Sequence, residues 1–339
     1  VDALLITSFA SFGDLLYQTP YIRFLKTVYK NVDVWARNYE PFINNPNIRH
    51  IYKMDSFRVP PTTDFYWTHV YKATLNNIKL PQSNIHTVDF FTVGCSRMVL
   101  RDKEKELEFY WTKKDEDSVR QLLAEHGLIT AESRDANFTV ICPSITWPSR
   151  TFSLEFYQEL ISLIQKHTND KVVIVGKDID YAKFDPDHDK KAPDYEKLKI
   201  KETKALYPIE ALPKGVIDLT NKLSLHQLGA LYSLTKISIN TENGNHVVSC
   251  TNRNCWNLYV PTLTAPEFRL PYRDGSMYYK TVLVNNNRDY FPASQYSLQG
   301  WPTLLDAPSL FPTAEEVFQG YLLADKGFKN GDTKSAQVR

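Results

Sequence analysis

Asp14 is the first residue of this chain whose type and setting can do chemistry. It closes the run Ser11-Phe12-Gly13-Asp14, between the apolar stretch Ala3-Leu4-Leu5-Ile6 and a segment from Leu15 to Lys30 with apolar positions at Leu15, Leu16, Ile22, Leu25 and Val28. The first stretch reads as a buried strand and the second as a helix. A carboxylate at the mouth of such a turn can serve as a general base. It can equally cap the helix and complement its dipole, and the residues alone leave both readings open. Gly13 allows a tight turn or the close approach of a ligand. Strand, tight turn and helix open a doubly wound α/β domain, in which ligands bind beyond the carboxyl ends of the strands.

Further candidates follow the same logic in the second half of the chain. Ser144 and Thr146 lie in the loop after the strand pattern Phe138 to Pro143, and Arg150 stands just before a helical pattern from Ser153 to His167. Lys222 is in the turn after Val216 to Leu219, ahead of a helix over Leu225 to Leu234 that Ser224 can cap. Glu242 and Asn243 follow the strand pattern Lys236 to Ile239, and His246 comes next, either as a donor into a cleft or as a packed core histidine. In the first half, Asn31 to Ala36 and Phe65 to Val70 read as strands, Ile48 to Tyr52 is an apolar stretch, and Asp115 to His126 reads as a helix ended by Gly127. Strands alternating with helices in both halves predict two facing Rossmann-like domains. Their expected limits are 1–130 and 138–312, joined by a polar linker at 131–137. A helix at 313–325, capped by Thr313, is expected to pack back on the first domain, with a disordered tail at 326–339.

Composition narrows the classes. The 339 residues, 42% of them hydrophobic and 23% charged, suit two globular domains. Basic and acidic residues nearly cancel, 40 against 39, so no global field draws the chain to nucleic acid or anionic lipid. No apolar run reaches the roughly 20 residues of a membrane span, and no secretory leader is visible. A cytoplasmic location is expected. Four cysteines are too few for a disulfide framework, and the Cys250-x4-Cys255 pair lacks a second pair, so free thiols are expected in place of a zinc site. Asp178-Ile179-Asp180 has the spacing of a metal-binding pair but lies in a polar excursion.

Three segments, in order, resemble the ADP-heptose:lipopolysaccharide heptosyltransferases, the glycosyltransferase family 9 group with the GT-B fold. The run from Ser11 to Pro20, with its Gly13-Asp14 and Thr19-Pro20, is similar to the family's opening. Arg150-Thr151-Phe152-Ser153 is similar to its basic-aromatic-proline run, with Phe152 for the usual Trp and Ser153 for Pro. Ile217 to Leu225 and then Thr241-Glu242-Asn243-Gly244-Asn245-His246 are similar to its donor-side motifs, with the acidic residue and the glycine of the latter displaced by one position. The resemblance weakens between Ser56 and Lys114 and from Arg269 to Ser309.

It implies an inverting, metal-independent transfer of sugar from a nucleotide-diphosphate sugar to an acceptor hydroxyl, with Asp14 as base and no cofactor. Donor contacts would fall to Arg150, Lys222, Glu242, Asn243, His246, Ser144 and Thr146, and acceptor contacts to Ser11, Gly13 and Arg97. The acceptor is a saccharide, glycan or lipopolysaccharide-like. An alternative is a hydroxymethylated base in viral DNA, which a basic groove with Arg97 and Arg101 would favour. Two other classes stay open: a non-catalytic sugar-nucleotide binding protein and a nucleotide-sugar epimerase.

Overall fold

The computed structural model describes residues 1–9, 11–54, 67–73, 85–129, 137–143, 152–177, 211–260, 266–284, 312–333 and 336–338. β1 (Asp2–Thr7), β2 (Asn31–Ala36), β3 (His50–Lys53) and β4 (His69–Ala73) form a parallel sheet in the order β3-β2-β1-β4. The second sheet is also parallel. It holds β5 (Phe138–Cys142), β6 (Lys171–Ile174), β7 (Ile217–Asp218), β8 (Ile237–Thr241), β9 (Trp256–Val260), β10 (Thr281–Val284) and β11 (Ala336–Val338). Its order is β11-β10-β9-β8-β5-β6-β7. In each sheet the order reverses once, between β1 and β4 and between β5 and β8. Such switch points leave a crevice at the carboxyl ends of the strands. β5, β8 and β9 are buried along their whole length, as the central strands of a parallel sheet covered on both faces are.

Among the described residues the α-helices are α1 (Phe12–Leu16), α2 (Thr19–Val28), α3 (Thr87–Ser96), α4 (Lys113–Glu125), α5 (Leu154–His167), α6 (Leu225–Leu234), α7 (Gly244–Cys250), α8 (Pro266–Arg269) and α9 (Ala314–Asn330). The single helix expected from Leu15 to Lys30 is two. Pro20 stands in the first turn of α2, where its missing N–H costs no hydrogen bond. Ser224 and Thr313 cap α6 and α9 as the sequence predicts, each in a reciprocal box with the Gln or Glu three residues on.

One apolar core runs through both halves. Leu5, Val34 and Phe91 from the first sheet's side belong to the same cluster as Val140, Leu231, Tyr232 and Val247 from the second. α4, which precedes the expected linker, packs against α6 of the second half. The linker itself lies outside the described residues except for Asn137, as does nearly all of the excursion from Asp178 to Pro213.

Two expectations about the C-terminus are corrected. α9 packs against α5 and strands β8 to β11, not back on the first domain. Its stripe of Val317, Phe318, Tyr321 and Ala324 completes the core made by Ile161, Trp256 and Leu258 on the outer face of the second sheet. The disorder expected from Lys326 onward is also overturned: the helix continues to Asn330, Gly331 caps it at φ 68°, and β11 pairs with β10. The segment looked polar because Asp325 is turned inward to a buried lysine, while Gly327 lies flat on the Trp256 ring.

Candidate active site

Asp14 is the third residue of α1, immediately after the loop that leaves β1 at the first sheet's switch point. Ser11 takes the N-cap position, and its hydroxyl makes no capping hydrogen bond. α1 meets α7 almost backbone to backbone. A Cβ built on Gly13 would stand 3.3 Å from the Gly244 Cα, and one on Gly244 would stand 2.4 Å from the Phe12 ring. The Gly13 and Gly244 positions are therefore needed for close approach of the two halves. That approach brings Asp14 to Glu242, which follows β8 at the second sheet's switch point. Gly244→Ala forces the Phe12 ring aside. Overpacking of this kind costs about 1–3 kcal/mol, and the expected loss is read as a lowered melting temperature.

Between the two carboxylates lies Arg269. Its Nη1 is 3.5 Å from Asp14 Oδ1 and its Nε is 3.6 Å from Glu242 Oε1. The side chains of Asp14 and Arg269 remain 25% and 21% exposed, whereas Glu242 is 6% exposed, so the first two face a solvent-reachable crevice. Burial works against the charge of Arg269, but the Glu242 and Asp14 carboxylates outweigh it and hold the guanidinium above ordinary arginine basicity.

Its backbone is fixed from the other half of the molecule. The Thr87 hydroxyl donates to the Phe268 carbonyl at 2.8 Å, the Tyr17 hydroxyl donates to that of Arg269, and His86 Nε2 lies 2.9 Å from that of Leu270. Burial pushes the Tyr17 hydroxyl well above its ordinary range and His86 down to about 4, so both are neutral near pH 7. His86 Nδ1 accepts the Val88 N–H, which leaves the proton on Nε2 to donate.

The remaining predicted residues lie as follows. Asn243 caps α7: its Oδ1 accepts the His246 N–H at 3.0 Å. His246 itself is 2% exposed, against the Tyr259 ring and 3.7 Å from Cys250 Sγ. Burial, with Arg273 nearby, lowers it to about 3, so the packed-histidine reading describes it and it carries no charge into the crevice. Lys222 is exposed after β7, with Nζ on the Asp218 carbonyl at 2.6 Å. It is at the same sheet edge as Glu242 but three strands away, roughly 14 Å at about 4.8 Å per strand.

Arg97 closes α3 in the left-handed region. The start of α3, at His86 and Thr87, touches the Arg269 segment. A ten-residue helix is about 15 Å long, so Arg97 is at the far end and the structure does not bring it to Asp14. Arg101 is paired with Glu104 within its own turn. Ser144, Thr146 and Arg150 lie outside the described residues, as do Asp178, Asp180, Thr262 and Trp301. All four cysteines are free thiols. Among the described residues no helix is long and apolar enough to cross a membrane.

No protein-family model and no curated protein matches the sequence. Solved structures do match the fold. A glycosyl transferase family 9 protein from Veillonella parvula superposes with a TM-score of 0.64 at 13% identity, over 95% of this chain and 96% of that one. ADP-heptose lps heptosyltransferase II of Escherichia coli gives 0.55 at 14%, over 95% and 98%. The dodecameric, iron-containing heptosyltransferase TibC of enterotoxigenic E. coli, in complex with ADP-D-β-D-heptose, gives 0.62 at 12%, over 97% and 78%.

The fold is that of glycosyltransferase family 9. Within this GT-B architecture Arg269, Tyr17, His86 and Thr87 are the site residues that the sequence did not mark. Arg269 opens one of the two segments where the resemblance to family 9 is weak, and its partners come from far along the chain. The available signal was positional: it lies on the stretch that follows β9, next to β8, and loops after strand ends near a switch point are where ligands are met.

Proposed function

We propose that the chain is a nucleotide-sugar glycosyltransferase. It transfers a sugar from a nucleoside-diphosphate sugar to a saccharide hydroxyl, with inversion and with Asp14 as general base. The observation that carries this reading is the position of Asp14. Its partly exposed carboxylate lies at the first sheet's switch point and faces, across the junction, the carboxyl ends of the strands of the second half, in a fold whose solved examples are named as glycosyltransferases. The acceptor hydroxyl attacks the anomeric carbon, Asp14 takes its proton, and the bond from that carbon to the diphosphate oxygen breaks with its electron pair left on phosphate. Arg150 and Lys222 would meet the departing charge, Glu242 the nucleotide side, and Ser144 and Thr146 the phosphates. Positive side chains and backbone N–H groups suffice for such a leaving group, so the proposal needs no metal and no resident cofactor.

A saccharide acceptor is favoured over modified DNA. The chain's charges nearly balance, Arg101 is consumed by Glu104, and Arg97 is remote from Asp14. The proposal places the enzyme in the cytoplasm, at a membrane surface if its acceptor is a glycolipid. The test is a thermal-shift panel of ADP, UDP and GDP with their sugar conjugates, ADP-heptose first because a solved structure of this fold holds it. A rise specific to one nucleotide and its sugar is expected, followed by transfer to a saccharide panel. Absence of any shift across the panel overturns the proposal.

A further inference from the structure

The arginines that hold this protein together make short contacts. Arg23 meets Glu108 at 2.6 Å, Arg253 meets Glu106 at 2.6 Å, and Arg49 grips Asp2 at 2.8 Å. These are the lengths of charge-assisted hydrogen bonds. Arg269 is different. Its contacts to Asp14 and Glu242 are 3.5 and 3.6 Å, too long for either carboxylate to satisfy the guanidinium. Among the described residues its Nη2 has no acceptor. Yet its backbone is among the most firmly placed in the crevice, because three successive carbonyls, from Phe268 to Leu270, are held by Thr87, Tyr17 and His86. A structural ion pair needs no such mounting. The arrangement is a fixed backbone carrying a loosely held cation between two carboxylates.

We propose that Arg269 is a further cation that receives the donor's diphosphate, and that it does so by leaving Asp14. The inference rests on the glycosyltransferase reading and adds to it a residue and an order of events. Without donor, Arg269 lies beside the Asp14 carboxylate and partly neutralises it. A bound diphosphate offers the guanidinium two or more anionic oxygens in the fork geometry that it matches best. Nη1 turns from Asp14 to phosphate while Glu242 keeps hold of Nε. Asp14 then loses its counter-charge and is free to take the acceptor's proton, at the moment when an activated sugar is present. As the sugar–phosphate bond breaks, the electron pair it leaves on the diphosphate oxygen falls next to Arg269, and the hydroxyl proton goes to Asp14. The base is thus unmasked by the donor, which protects the crevice from an unpaired carboxylate when no donor is bound.

The test is the affinity for ADP, UDP and GDP measured by titration calorimetry on the full chain at low salt, for wild type, Arg269→Gln, Arg269→Lys and Asp14→Asn. Arg269→Gln is expected to weaken the nucleotide that binds by about 10–100-fold, the range for losing a hydrogen-bonded charge. Arg269→Lys, which keeps a point charge without the fork, should fall between. Asp14→Asn should tighten binding roughly threefold or more, because it removes both a competitor for Arg269 and a negative charge near the phosphates. Opposite signs for Asp14→Asn and Arg269→Gln support the exchange. A purely structural pair would move melting temperatures together and leave affinities unchanged. Equal affinity of wild type and folded Arg269→Gln overturns the inference while the glycosyltransferase reading stands, and so does weaker binding by Asp14→Asn. If Arg269→Gln fails to fold, the Asp14→Asn and Arg269→Lys arms decide. If no nucleoside diphosphate binds wild type, both readings fall.

Discussion

Asp14→Asn is expected to lower the rate of sugar transfer at saturating donor and acceptor by about 100- to 10,000-fold, the contribution of a positioned general base. The substitution is nearly isosteric and leaves an oxygen to face Arg269, so α1 keeps its place against α7 and the fold survives. What disappears is the site that takes the proton. The acceptor hydroxyl must then lose its proton to water within a crevice whose nearest other carboxylate, Glu242, is almost fully buried. Turnover is measured with the donor that the thermal-shift panel identifies, and donor affinity is measured beside it. A fall in turnover with unweakened donor binding assigns Asp14 to the chemical step. A change below about threefold would remove it from that role and leave it as half of an ion pair between the halves.

How much of this was legible in the sequence depends on the range of the interaction concerned. β1, the turn at Gly13 and the start of α1 were readable because each rests on neighbours: an apolar run, a glycine, and a carboxylate in a first turn. The caps at Ser224 and Thr313 were readable for the same reason, with Gln or Glu three residues later. The break between α1 and α2 was hidden, since Tyr17-Gln18-Thr19 contains no helix breaker and Pro20 is compatible with a first turn. For α9 the apolar stripe announced a packed helix, but a stripe does not name its partner, and the outer face of the second sheet took it. His246 was ambiguous because the pattern shows a histidine after a strand and not the Tyr259 ring and Cys250 thiol that close over it. Arg269 was invisible. Its meaning comes from three hydrogen bonds to residues of the other half, and nothing in the local spacing records them.

The largest stability effect is expected far from the crevice, at the amino-terminal edge of the second sheet. Lys236, 4% exposed, immediately precedes β8, the strand that delivers Glu242. Its Nζ donates to both Asp170 oxygens, at 3.0 and 2.7 Å, and is paired with Asp325 of α9. The Tyr321 hydroxyl also donates to Asp170, and Lys329 closes on Asp325 at 2.7 Å. One ammonium therefore ties the turn before β6, the start of β8 and the C-terminal helix.

Lys236→Met fills much of the same volume but leaves Asp170 facing only a phenol and Asp325 only a surface lysine. Breaking a buried pair on one side costs about 3–5 kcal/mol. The network opens on a cavity of about 390 Å³, through which water softens the loss, so the lower end of that range is expected in urea denaturation. Neutralising the carboxylates as well, in Asp170→Asn/Lys236→Met/Asp325→Asn, should recover part of it, because the penalty lies in the stranded charges.

The pH dependence has a definite sign. Burial alone would raise the Asp325 carboxyl, but Lys236 and Lys329 outweigh it and hold it below the usual range. Its contribution is present above the unfolded value, about 3.9, and is lost as pH falls through the lower folded value. The gap between wild type and Lys236→Met should therefore narrow below about pH 4. A gap that stays constant down to the acid transition would show that Lys236 acts through the packing of its buried chain and not through its charge.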